Sequence, residues 1–241
     1  MLIFSISSRF WGPAKHCMLM TQMEMHPERL KRRRSYFLRL FTPAGAIGSI
    51  LFVLVFTIDG FLRPGYSPIH QVVSDLGIGR NAWILNTDLV VFGLLFMLFA
   101  IGFSQAMRKS IGGRRLRASS SLLMLTGGGA VNECLFTEYN PTDPTAVLHD
   151  KLHSLGFLVA FGSLIIALFM IGLHLRKDRA WRGYGWYSIL TSLVTLLLII
   201  LPYAFPRYGA QLGGLNERML LVEAVAWHVV TGCRLFACER L

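Results

Sequence analysis

His153-Ser-Leu-Gly-Phe-Leu-Val-Ala-Phe-Gly-Ser-Leu-Ile-Ile-Ala-Leu-Phe-Met-Ile-Gly-Leu-His174 runs for 22 positions without an Asp, Glu, Lys or Arg. A helix of that length measures about 33 Å at 1.5 Å per residue, enough to cross the hydrocarbon core of a bilayer. The rest of the chain follows the same pattern. Of its 241 residues, 54% are hydrophobic and only 15% charged, whereas a soluble domain carries about 25% charged residues. The apolar excess falls in long blocks near 37–58, 83–105, 118–136, 153–174, 186–205 and 217–236. Each is close to the roughly 20 residues that a membrane-crossing helix needs. The expected fold is all-α, a polytopic bundle of six transmembrane helices in the cell (inner) membrane.

The basic residues orient that bundle. The formal charge is +11, which in a soluble protein would suggest nucleic acid. Here the charges sit beside the apolar blocks. The N-terminal tail through Arg39, the 108–117 loop, the 176–182 loop and the C-terminus hold 19 of the 24 Lys and Arg residues. The alternate loops hold Arg63, Arg80, Lys151, Arg207 and Arg218. The positive-inside rule then puts both termini in the cytoplasm, where the basic face meets anionic lipid headgroups. No nucleic-acid partner is expected. Residues 1–35 form a basic tail, and 36–241 the transmembrane domain. Met1 to Trp11 is too short to span and is not followed by a clear leader-cleavage site. The spacings of Cys17, Cys134, Cys233 and Cys238 match no zinc ribbon or CxxC pair.

The chemistry collects on the opposite side. Asn140-Pro-Thr-Asp-Pro-Thr-Ala-Val-Leu-His-Asp-Lys-Leu-His153 joins two apolar blocks. It holds Asp143 in a turn, then His149 and His153 at a spacing that puts both imidazoles on one helix face. Ser74, Asp75, Glu133 and Glu217 lie in the outer loops or at outer helix ends, as do Asp59, His70, Glu138 and Asp150. Asp88 and Glu223 are buried acids about 8–9 Å into their spans, and His228 lies near the midplane. Ionisable groups at such depth face a bundle interior or a wet cavity. An outward-facing polar site is therefore expected.

Three readings fit that site. Two histidines at i, i+4 make half of a zinc site, with Asp143, Asp75, Glu133 or His70 to complete it. Bound zinc would activate water in a metal-dependent hydrolase acting on a lipid or headgroup. The pair lacks the Glu that makes HExxH specific. The same residues could recognise a headgroup without chemistry, or bridge helices structurally. A small transporter using Asp88 and Glu223 is a further class, although polar residues line only one side. Ser74-Asp75 has no GxSxG elbow and reads as a cap or a short re-entrant segment.

Arg63-Pro-Gly-Tyr-Ser67, Ser74-Asp-Leu-Gly77 ahead of Ala82-Trp83, Pro141-Thr-Asp-Pro144 with His149-x-x-x-His153, and Gly214-Leu-Asn-Glu-Arg218 carry a family likeness. Over residues 37–236 the chain resembles the membrane family called domain of unknown function 998. That resemblance implies a fold and a location, with no assigned catalytic residue. Asn140 stands where the family pattern leads one to expect an aromatic residue, and the basic tail is additional. A fainter likeness is to alkaline-ceramidase-like membrane hydrolases. These hold zinc through histidines, including an HxxxH pair, near a serine and an aspartate. His149, His153, His70, Ser74 and Asp75 supply those residue types, in a different order and with a different number of spans.

Overall fold

The computed structural model describes residues 26–108, 110–137 and 146–238, with the backbone alone for 26–40 and 238. The chain divides into a unit up to Phe37 and a larger one from Leu38. Among the described residues there are six long α-helices and no strand. They are α1 (His26–Leu62), α2 (Trp83–Ala106), α3 (Gly113–Leu135), α4 (Ala146–Leu175), α5 (Arg182–Ala204) and α6 (Pro206–Cys238). A short 3-10 helix, Val73–Gly77, lies between α1 and α2.

Five of these helices are long and apolar enough to cross a membrane, α1 through its Phe41–Leu62 portion. The exception is α3, where a sixth span was expected. Its 23 residues open on Arg114, Arg115 and Arg117, carry Ser119 to Ser121, and end near Asn132 and Glu133. The polar content of α3 is turned largely inward: Ser119, Ser120 and Thr126 are buried. Side chains that look outward from the bundle are apolar instead. Leu158 is 67% exposed and Leu190 61%, values that suit a lipid-facing belt rather than a water-facing surface.

Backbone contact holds α3 in place. A Cβ on Gly93 of α2 would lie 2.6 Å from the Gly127 carbonyl oxygen, and one on Gly127 would lie 2.7 Å from the Gly93 oxygen. On the other side, a Cβ on Gly129 would lie 2.6 Å from Ala160 N in α4. Small residues permit such approach, and lipid-embedded bundles depend on it because lipid supplies little hydrophobic drive between helices. The main core fills the remaining space with Phe96, Phe99, Phe103, Leu168, Ile171 and Trp227.

Two boundaries differ from expectation. Residues 206–216, expected as a loop, are helical and extend α6, with a local break at Leu212 (φ −129°, ψ 19°). Pro206 suits a first helical position because its missing N–H is needed by no preceding turn. Asn216 then ties the extension back to α5, donating to the Leu198 carbonyl at 2.9 Å. Helix α4 likewise begins at Ala146, ahead of the expected 153, so His149 and His153 share one helix.

Substituting Gly129→Leu should wedge α3 from α4 and cost about 1–3 kcal/mol, the usual penalty of overpacking. Gly162→Leu is the control, because a Cβ there meets nothing within 4 Å. Thermal unfolding of both variants in detergent checks the difference.

Candidate functional site

The outer loop between α1 and α2 is pinned to the start of α6. Arg218 donates from Nη1 to the carbonyls of Pro68 (2.8 Å), Gln71 (2.9 Å) and Gly214 (3.0 Å). Its Nη2 bonds the Tyr66 hydroxyl, which itself donates to the Val72 carbonyl at 2.8 Å. Gly214 has to be glycine here: a Cβ would lie 2.2 Å from the Gln71 oxygen. Leu215 N donates to the Ile69 carbonyl at 3.0 Å, and His70 Nδ1 donates to that of Gln211 at 2.7 Å. Arg63 anchors the other end of the loop. It pairs with Asp59 at 3.0 Å and donates to the Ile78 carbonyl at 3.0 Å.

Ser74 and Asp75 lie in the 3-10 helix that this clamp positions. Glu217 accepts the Val73 N–H at 2.5 Å and so caps the turn from α6. Burial pushes the Asp75 carboxyl above its ordinary 3.8, against the opposing pull of the Val72 backbone hydrogen bond and the Arg218 charge. Burial likewise raises the Tyr66 phenol.

Below this turn is a cavity with about 70 Å³ of room for the centres of water molecules. Ser74, Glu133, His153 and Glu217 line it, from the 3-10 helix, α3, α4 and α6. Asn86, Thr126 and Thr137 add polar edges, and Leu85, Leu89, Phe92, Phe161 and Leu164 form apolar walls. His153 is buried, and its Nδ1 meets the carbonyls of Phe136 (3.0 Å) and Glu133 (3.3 Å). Both partners are acceptors, so Nδ1 carries a proton. The α4 chain is held at this point by Asn132, which donates to the Leu152 carbonyl at 2.6 Å.

Four of the expected site residues therefore share a cavity, and the other described ones do not line it. His149 is half-buried on the same helix face and sets its ring edge-on to Phe136, with centroids 5.8 Å apart. Asp75 is near the cavity in sequence but absent from its lining. Asp143 and Glu138 lie outside the described residues. Asp88 is buried with Oδ2 unpartnered, while Glu223 accepts the Thr195 hydroxyl at 2.8 Å. Neither acid lines the cavity, which removes support for a carrier built on them. Among the described residues no three His, Cys, Asp or Glu side chains form a group that could hold a metal ion.

Sequence reasoning did not single out Arg63 and Arg218, although both sit in the motifs that carry the family likeness. His228, expected near the midplane and facing the interior, is found there, but its lack of hydrogen-bond partners was not foreseen. That residue is 1% exposed, lines the cavity, and has no partner for either ring nitrogen. A buried polar atom left unpaired costs about 1–3 kcal/mol.

Long apolar helices and a lipid-suited belt define a multi-pass membrane protein. The chain belongs to the family described as "Protein of unknown function (DUF998)", whose pattern matches residues 46–234. No curated protein and no solved structure matches the chain.

Two outcomes are expected of the clamp. Arg218→Ala should cost about 2–3 kcal/mol, the scale of a charged hydrogen-bonding group lost from a part-buried site. It should also raise amide exchange across residues 66–77, measured by hydrogen–deuterium exchange. The second outcome concerns pH. Because the Asp75 pKa is raised, the folded protein holds that proton more tightly than the unfolded chain. Stability therefore falls as pH rises from 3.8 through the raised value. Asp75→Asn should remove that fall and be the more stable protein at neutral pH, as chemical unfolding between pH 4 and 7 would record.

Proposed function

We propose that the protein is a six-span protein of the cell membrane, with both termini in the cytoplasm, that binds a small molecule in a cavity facing outward. One observation carries the binding reading: Ser74, Glu133, His153 and Glu217, from four separate elements, line one cavity. Convergence of polar groups in an otherwise apolar pocket is the usual form of a ligand site. The orientation rests on the basic residues, 19 of 24 of which flank one side. On that cytoplasmic side Arg234 lies 4.5 Å from the Trp181 ring centroid and Arg176 5.5 Å from that of Trp186. Such aromatic–cation pairs suit the headgroup region, where anionic lipids would be the partners. Helix α3 counts as the sixth span because its 23 residues reach about 34 Å and Ser119, Ser120 and Thr126 are buried, while Arg114, Arg115 and Arg117 sit together at one end.

A metal-dependent hydrolase acting on a lipid or headgroup is the second reading, and the hydrogen bonding of His153 favours it. Its Nδ1–H is directed to backbone carbonyls, the orienting bond that zinc-ligating histidines make. His149, with zinc as the cofactor, would have to join it.

Orientation can be read from single cysteines placed in a chain whose four native cysteines are replaced by Ser. Ile69→Cys should react with an impermeant maleimide on intact cells, and Arg179→Cys only after permeabilisation. The reverse pattern would overturn the outward-facing site. Binding can be read by mass spectrometry of small molecules that co-purify with the protein. Ala224 lines the cavity, and Ala224→Phe should fill it and displace the bound species. A bound species retained by a folded Ala224→Phe variant, or none in either protein, would refute binding there. For the second reading, zinc present in the parent and lost from a His149→Ala/His153→Ala variant would establish the metal site, and zinc in neither would remove it.

A further inference from the structure

His228 is a polar group placed where an apolar one would pack without cost. Its ring is held edge-on by Phe96 at 4.3 Å and by Trp227 at 5.4 Å, with Phe99 at 6.2 Å and Phe92 at 6.5 Å. These neighbours fix the ring and offer it no hydrogen bond. The one polar atom among them, Trp227 Nε1, donates to Ser188 Oγ at 2.9 Å. Both imidazole nitrogens remain unpartnered, the residue is 1% exposed, and it borders the cavity.

From these contacts we infer that His228 is the hydrogen-bonding floor of a binding site for a compact, uncharged, hydroxyl-bearing molecule with an apolar body. The inference rests on the cavity being a ligand site and names the class of ligand it takes. Each property has its own reason. The walls between mouth and floor are apolar, with Leu85, Leu89, Phe92 and Val225 among them, so a charged group would be desolvated there without compensation. About 70 Å³ of space is under half of the roughly 150 Å³ that holds benzene, which suits a short chain of a few carbons and neither a six-membered ring nor a phospholipid. An uncharged imidazole presents one N–H and one lone pair. A hydroxyl both donates and accepts, so it can satisfy either ring nitrogen. The body of the ligand would then lie against Phe92 and Leu89, below the polar mouth at Ser74 and Glu217.

The test uses the full-length protein in nanodiscs with ring-¹⁵N histidine, the His228 signal being assigned by its absence in His228→Phe. 1-Propanol should move that signal saturably, at a concentration about tenfold lower than 1-chloropropane requires, the effect of one hydrogen bond. Ala224→Phe should abolish the response. Equal responses to the two probes would overturn the hydrogen-bonding role of His228. No response to either, with water alone at the imidazole, would overturn it too. The two proposals separate cleanly. A co-purifying molecule displaced by Ala224→Phe, beside a His228 signal indifferent to 1-propanol, leaves the cavity as a ligand site and removes this assignment. With neither a co-purifying molecule nor a response, both fall.

Discussion

Backbone touching backbone on both sides of α3 is the constraint on which the rest depends. The least apolar helix of the bundle is the one most closely embraced, through Gly93 against Gly127 and Gly129 against Ala160. This is physically consistent. Serine and threonine hydroxyls are tolerated away from water when they face protein, and glycine allows the approach that dispersion needs to be effective. The embrace also sets the site. Glu133 lies one turn beyond Gly129 on α3, and Gly156 lies just below His153 on α4. Bringing those glycines together brings the carboxylate and the imidazole to one mouth.

The outer loop is a second layer laid over this frame. Its only regular element is a five-residue 3-10 helix, too short to be stable alone. Arg63 from the end of α1 and Arg218 from α6 supply what the loop lacks, donors for carbonyls that would otherwise face the bundle unsatisfied. Glu217 does the converse for the Val73 amide. Adjacent residues of α6 thus provide a cation for the loop's acceptors and an anion for its donor. The residues behind the family likeness in the first loop and at the start of α6 therefore explain a shape before they explain any chemistry.

Much of the fold was legible because hydropathy reports directly on lipid exposure. Residues 153–174, without a charge, admit few alternatives. The i, i+4 spacing of His149 and His153 correctly implied one helix, which begins at Ala146. Residues 206–216 misled because Tyr208, Gln211 and Asn216 are polar enough to resemble a loop, and their helical hydrogen bonds are set by packing on α5. The site was legible in part. Ser74, Glu133, His153 and Glu217 were identifiable as ionisable or nucleophilic groups near one end of the spans. That His149 would turn to Phe136, and that Asp88 and Glu223 would miss the cavity, depends on helix rotation, which composition does not encode. Arg63 and Arg218 passed as ordinary loop charges because, beside the side chains of Asp59 and Tyr66, most of their partners are main-chain atoms, invisible to any motif.

That choice of partner has a consequence for how the loop tolerates change. A carbonyl is common to every amino acid, so at these contacts the guanidinium groups recognise the course of the chain, while Asp59 and Tyr66 meet them through side chains. Pro68 and Ile78 enter these contacts only through their oxygens, and other residues able to follow the same path would serve as well. Gly214 has no such latitude. Carbonyls are also uncharged, so dissolved ions have little to compete for at Arg218, whose contacts depend on ionic strength less than the Arg63–Asp59 ion pair does.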